Sequence, residues 1–144
     1  MAVDTTFTTD CRTVDLTATR TALTAALEAE TFDSQPLRVN AWLADQWAPP
    51  CALIGTFALT YQDTAFAGIP TALILVRAVV NAQAARPAQL DLDAMTGAVS
   101  RALLADRHLG GAVSDCRPVR TTATTMTRGA QELPATDIET MIVF

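Results

Sequence analysis

The run Thr71 to Val80 (TALILVRAVV) constrains the fold of this chain more than any other segment. It is a nearly continuous stretch of β-branched and aliphatic residues, which favours a β-strand. Such a run is typical of a central strand that is covered on both faces. Arg77 interrupts it, and it is far shorter than the ~20 residues that cross a bilayer. We therefore expect the most buried strand of the domain here, and no membrane segment.

Two other segments have the periodicity of amphipathic helices. The first runs from Asp15 to Ala29, with Asp15 or Thr13 available as its N-cap. The second runs from Asp91, the expected cap, to about Asp106, after a linker that contains Pro87. Leu109-Gly110-Gly111 is expected to end it, because glycine adopts the left-handed conformation that stops a helix.

Alternating or β-branched segments account for most of the remaining chain. Residues 37–43 and 51–61 predict two strands, separated by a connection at Pro49-Pro50 and followed by a loop over residues 62–70. Residues 112–128 are extended and Thr-rich, residues 129–134 turn the chain, and residues 138–144 form the last strand. The order predicts an α+β fold, with a mixed, mainly antiparallel sheet flanked by two helices in the order helix, three strands, helix, two strands. We expect one domain over residues 1–144, with a loose N-terminal arm at about 1–11.

Composition limits the classes of function. The net charge is −5 and all ten basic residues are scattered arginines, which argues against nucleic-acid binding and against docking on an anionic membrane. Half of the residues are hydrophobic and 17% are charged, below the roughly 25% of typical domains. Either part of this apolar excess forms a surface that a partner covers, or the chain is an alanine-rich protein with a bland surface.

The residues that could carry chemistry have simpler interpretations. Cys11, Cys51 and Cys116 are odd in number and dispersed, so we expect reduced thiols in a cytosolic protein and neither a disulfide framework nor a zinc site. His108 precedes the double glycine at a helix end, where the helix dipole alone favours it. Asp91 and Asp93 are interpreted as capping residues. We predict no catalytic residue, no cofactor and no metal, and therefore no enzyme.

The tryptophans leave two interpretations open. Trp42 and Trp47 flank Asp45-Gln46 near a bend of the chain. They are as compatible with core packing as with anchoring a partner.

The order of these segments resembles the tail terminator (tail completion) proteins of long-tailed bacteriophages, over about residues 12–144. An N-terminal helix is followed by the bend PLRVNAWLADQWAPPCALI, the loop YQDTAFAG and the strand TALILVRAVV. The next segment is AQAARPAQLDLDAMTGAVSRALLADRHLGGAVSDC, in which a helix ends at Leu-Gly-Gly and leads into a strand. The closing strand is DIETMIVF. The likeness lies in this succession and not in one sharp motif.

The resemblance implies a structural virion protein, assembled in the host cytoplasm, that forms a hexameric ring on the tail tube. Such a ring ends tube polymerisation and offers a joining surface to the head connector or head-closure protein, while DNA passes through the lumen without specific binding. The family gives no binding signature to carry over, so the candidate contacts are chosen within or directly next to two polar strand connections, residues 61–68 and 121–129. These candidates are Tyr61, Asp63, Phe66, Arg120 and Arg128. The alternatives are another neck protein, or a small-molecule-binding domain or enzyme.

Overall fold

The structure is a computed structural model that describes residues 3–10, 12–42, 46–81 and 84–144. Two helices share a buried cluster with one face of a six-stranded, mainly antiparallel sheet, so the expected α+β class is confirmed. The expected order of elements is not matched, because short strands precede and follow the first helix. The elements are β1 (Thr6–Thr8), β2 (Thr13–Asp15), α1 (Leu16–Glu28), β3 (Thr31–Phe32), β4 (Gln35–Pro36), β5 (Val39–Asn40), β6 (Cys51–Ile54), β7 (Ala58–Thr60), β8 (Thr71–Val79), α2 (Ala85–Ala105), β9 (Asp115–Arg128) and β10 (Gln131–Val143).

The strand predicted at residues 71–80 is the centre of the sheet. The strand order is β5-β6-β8-β10-β9, and β7 pairs with β8 on the same side as β6. Val76 of β8 lies opposite Ile54 of β6 and Ile138 of β10, and both pairings are antiparallel. Among the described strands only β5 and β6 run parallel. β9 forms one edge of the sheet, β5 and β7 lie at the opposite edge, and β9 is by far the longest of the three.

The expectation that β8 is covered on both faces is wrong. Its even-numbered residues are buried against the helices, whereas Leu73 and Leu75 are 42% and 41% exposed on the opposite face. The physical reason is that α1 and α2 both lie on the inner face. On the other face, which we call the outer face, a second buried cluster covers one end of the sheet. It consists of Cys51, Val79, Leu133 and Ala135, with Trp47, Leu53 and Met126 packed against it.

The expected N-cap of α1 is confirmed, whereas part of the expected loose arm is paired in a strand. The Asp15 carboxylate accepts a hydrogen bond from the Ala18 N–H at 3.0 Å, which satisfies one of the free donors at the helix start. Residues 6–8 are not loose, because β1 pairs with β2 in an antiparallel hairpin. Phe7 packs edge-to-face on Tyr61 with ring centroids 5.6 Å apart, which ties the hairpin to the loop after β7.

The prediction for the start of α2 is also wrong. The helix begins at Ala85 and not after Asp91, so Pro87 lies in its first turn, where a missing N–H costs no hydrogen bond. Asp93 therefore lies within the helix, where its carboxylate accepts from Gln89 Nε2 at 2.7 Å. The helix ends at Ala105, before the double glycine. The glycines instead form a separate 3-10 turn, in which the Gly110 N–H donates to Asp106 Oδ2 at 2.7 Å.

Three strand boundaries differ from those expected. The strand predicted at 51–61 is divided into β6 and β7 at Gly55, where a Cβ would lie 3.2 Å from the Leu75 carbonyl oxygen. The strand predicted at 37–43 is reduced to β5, although residues 43–45 lie outside the described part. The last strand begins at Gln131 instead of 138, because residues 129 and 130 alone connect β9 to β10. The result is a long hairpin that contributes two of the six strands.

Candidate interaction surface

An apolar patch lies on the outer face at the end of the sheet away from the second buried cluster. Leu73 lies opposite Ala58 of β7 and Met141 of β10, and Leu75 lies opposite Glu139. Ala58, Leu73 and Leu75 are exposed and Met141 is half-buried. Large aliphatic side chains at the middle of a sheet are ordinarily buried, so this apolar patch is the strongest candidate for a contact with another molecule.

Charged side chains of both signs surround the apolar patch. Arg120 donates from Nε and Nη2 to Glu139 at 2.7 and 3.1 Å, and Arg77 pairs with Asp137. Arg117 lies opposite Met141, on the same face. Arg128 extends over Trp47 at the far end, 5.9 Å from the ring centroid. Four of the ten arginines thus share this face with three carboxylates, those of Asp115, Asp137 and Glu139, in a chain whose net charge is −5.

The alternation of side chains along a strand explains why the two leucines and the charged residues lie on one face. Side chains two apart on a strand point the same way, so Leu73, Leu75 and Arg77 lie together on β8. Arg77 was therefore a sequence signal that the odd-numbered residues of β8 do not face the core. Its charge marks a face that is only partly covered, and the two leucines share that face. Sequence reasoning missed this because the run looks uniformly apolar.

The five contact residues chosen from the sequence fall into two separate groups. Tyr61, Asp63 and Phe66 lie in the connection between β7 and β8, whereas Arg120 and Arg128 lie on β9. β8 and β10 separate β7 from β9 in the sheet, so the structure does not bring the groups together. Both arginines belong to the outer face described above.

Asp63 has an internal role in its connection. Its Oδ1 accepts from the Ala65 N–H at 2.9 Å and its Oδ2 accepts from Thr71 Oγ1 at 3.1 Å. These bonds cap the single turn that contains the half-buried Phe66 and fasten it to the start of β8. Tyr61 is exposed apart from its contact with Phe7, so it is the member of this group with most surface to offer.

A cluster of two aromatic rings around Arg20 was not identified from the sequence. The Arg20 guanidinium lies between Trp42 and Phe57, 5.0 Å from each ring centroid, and its Nη1 donates to the Ala41 carbonyl at 2.7 Å. Burial lowers the pKa of Arg20, which nevertheless stays charged at neutral pH. Two interpretations were left open for the tryptophans. Trp42 remains exposed, which leaves it free to contact a partner, whereas Trp47 packs against the second buried cluster.

The side chains considered as possible catalytic groups, those of His108, Asp91 and Asp93, do not form one site. His108 is exposed, and its Nδ1 lies 2.8 Å from the Ser114 carbonyl oxygen, a contact that fastens the turn after α2. Asp91 lines an open groove with Phe32, Asp33 and Arg101. Asp91 and Asp93 are not a cap, and His108 is not a lining residue of this groove.

Burial keeps the described thiols protonated. It raises the pKa of Cys51 to about 11 and that of Cys116 to about 12. Both are free cysteines inside the two buried clusters. Cys11 lies outside the described residues. At neutral pH the two buried sulfurs act as small apolar groups in the packing.

The comparisons with known proteins give no relative. No protein-family model matches the chain, and no curated protein matches its sequence.

Within the described ranges, no three His, Cys, Asp or Glu side chains are grouped so as to hold a metal ion. Neither described helix combines the length and apolar character needed to cross a membrane.

Proposed function

We propose that this protein is a structural virion component that assembles as a ring of copies, six by the family likeness, and caps the tail tube of a long-tailed bacteriophage. One observation carries the proposal: the apolar patch around Leu73 and Leu75 is left uncovered on the central strand of a sheet whose inner face is packed against the helices. A domain that already has a complete core gains nothing from this patch as a monomer. Covering it in an assembly removes apolar surface from water.

The charge distribution supports an assembled state. The chain is acidic overall, so the remaining surface of a ring is negative and does not hold DNA that passes through it. Four arginines are concentrated on the outer face. Arginine is enriched at protein interfaces, where its planar group pairs with carboxylates. The order of sequence segments that resembles the tail terminator proteins supports the particular role.

The first test is the state of association of the purified full chain. Sedimentation velocity over a range of concentrations, followed by negative-stain microscopy, should show a closed ring. A chain that remains monomeric at all concentrations would overturn the ring.

The second test concerns the role in the particle. Phage particles made without this protein should carry tails of irregular length that do not join heads. Normal tail lengths with unjoined heads would instead identify another neck protein, and normal particles would exclude a virion role.

A further inference from the structure

The outer side of α2 carries an exposed stripe at coiled-coil spacing. Leu90 and Leu104 are 59% and 56% exposed, among the largest values for apolar side chains in the described chain. With Ala94, Gly97 and Arg101 they follow steps of four and three residues, which place them along one side of a helix. The stripe is about 21 Å long at 1.5 Å per residue. We call these five residues the α2 stripe.

The α2 stripe points away from the core. Met95, Val99 and Leu103 of the same helix are buried in the main cluster against the sheet. At 3.6 residues per turn, the stripe lies almost opposite to these three residues. Hence α2 packs on the inner face of the sheet and presents the stripe on the far side, while the apolar patch lies on the outer face. The two surfaces cannot meet within one molecule.

The apolar patch and the α2 stripe complement each other, because one is a sheet face and the other a helix face, and because their layers differ in charge. A sheet buries its apolar face against another element, and a helix is one of the elements that can cover it. The outer face carries four arginines against three carboxylates. The helical layer, residues 16–30 and 85–106, carries five carboxylates against three arginines. The excess on each layer is opposite in sign, which favours the pairing of unlike surfaces over the pairing of like ones.

We propose that copies of this chain join head to tail, with the α2 stripe of one copy seated on the apolar patch of the next. The inference rests on the proposed ring and adds to it the two surfaces that meet. Each copy then contributes one sheet face and one helix face, so the contact is heterologous and can close into a ring. The stripe lies across Leu73 and Leu75, and Arg117 lies at the margin of the contact.

Two double variants test the proposal. In the sheet-face variant, Leu73→Thr and Leu75→Thr remove the patch but keep β-favouring residues. In the helix-face variant, Leu90→Gln and Leu104→Gln remove the stripe but keep helix-favouring residues. All four side chains are exposed, so circular dichroism and thermal melting should show that both variants fold. Val3→Thr, an exposed apolar position outside both surfaces, is the matched control and should assemble like the wild type.

Each double variant alone should be monomeric at concentrations at which the wild type forms rings. An equimolar mixture should form a one-to-one dimer and stop there, because one intact patch and one intact stripe remain. This complementation is specific to a head-to-tail contact. Should the sheet-face variant fail to fold, Arg117→Glu at a strand edge takes its place, with a partial loss of assembly expected.

Three results would overturn the proposal. Rings formed by the helix-face variant would show that the stripe is not a contact. Self-association of the helix-face variant with a monomeric sheet-face variant would show that sheet faces pair with each other. A mixture of monomers that does not dimerise would exclude the complementary pairing. A monomeric wild type would instead remove the proposed ring itself.

Discussion

Arg77 and Asp137 lie directly opposite each other on β8 and β10, and the guanidinium of Arg77 contacts both carboxylate oxygens of Asp137. The Nη2–Oδ2 distance is 2.8 Å, and the side chains are 29% and 15% exposed. Arg77 Nη1 also contacts the sulfur of Met126. The pair therefore lies between the second buried cluster and the apolar patch, and it neutralises a charge near the centre of the sheet.

Replacing Asp137 by asparagine should lower the free energy of unfolding by about 1–3 kcal/mol, because Arg77 is left half-buried without its ionic partner. The measurement is urea denaturation at low protein concentration. Glu139→Gln is the matched control on the same strand and face. Its partner Arg120 is largely exposed, so about 1 kcal/mol or less is expected. Equal costs at the two positions would contradict this account.

Neighbouring residues of β8 should respond very differently to truncation. Ile74 is 1% exposed in the main cluster, so Ile74→Ala should cost about 2–5 kcal/mol. Leu75→Ala should cost about 1 kcal/mol, because 41% of that residue is already in water. Thermal or urea unfolding of the two variants decides the matter. A larger loss for Leu75 than for Ile74 would mean that the two faces of β8 are assigned the wrong way round.

The thiols of Cys51 and Cys116 should react slowly with alkylating reagents at pH 8 in the native protein. Both are buried, and their raised pKa values leave little thiolate. Mass spectrometry of peptides after timed labelling gives the rates for each cysteine. Both rates should rise together in urea, since each cysteine belongs to a packed cluster. Labelling of either residue in the native state as fast as a free thiol would contradict its burial.

The carboxyl group of Asp115 should titrate below its ordinary value of 3.8, because the hydrogen bond from Arg107 lowers its pKa. The two Arg107–Asp115 contacts are 2.6 and 2.8 Å. A lowered folded-state pKa adds stability at pH values above the ordinary value, and this stability is lost as the pH falls through the folded-state pKa. Carboxyl carbon NMR follows the titration directly. Arg107→Gln should raise the Asp115 pKa, and an unchanged titration would contradict the role of the pair.

Local chemistry in the sequence was enough to identify the α+β class, the cap at Asp15 and the strand at 71–79. These features depend on neighbours along the chain: a carboxylate three residues before an N–H, or a run of β-branched residues. The same local reasoning placed the start of α2 at Asp91. It assigned Pro87 to a linker, although proline fits the first turn of a helix.

The sequence by itself determined which segments become helix or strand, because backbone preference and side-chain periodicity act over a few residues. Only the tertiary structure decided which face of β8 is covered. An apolar side chain is equally suited to burial on either face of a strand. Because both helices pack on the inner face, Leu73 and Leu75 on the outer face remain in contact with water. The interaction surface depends on contacts between strands far apart in the chain, such as Leu73 with Ala58 and Met141, and no local pattern records those contacts.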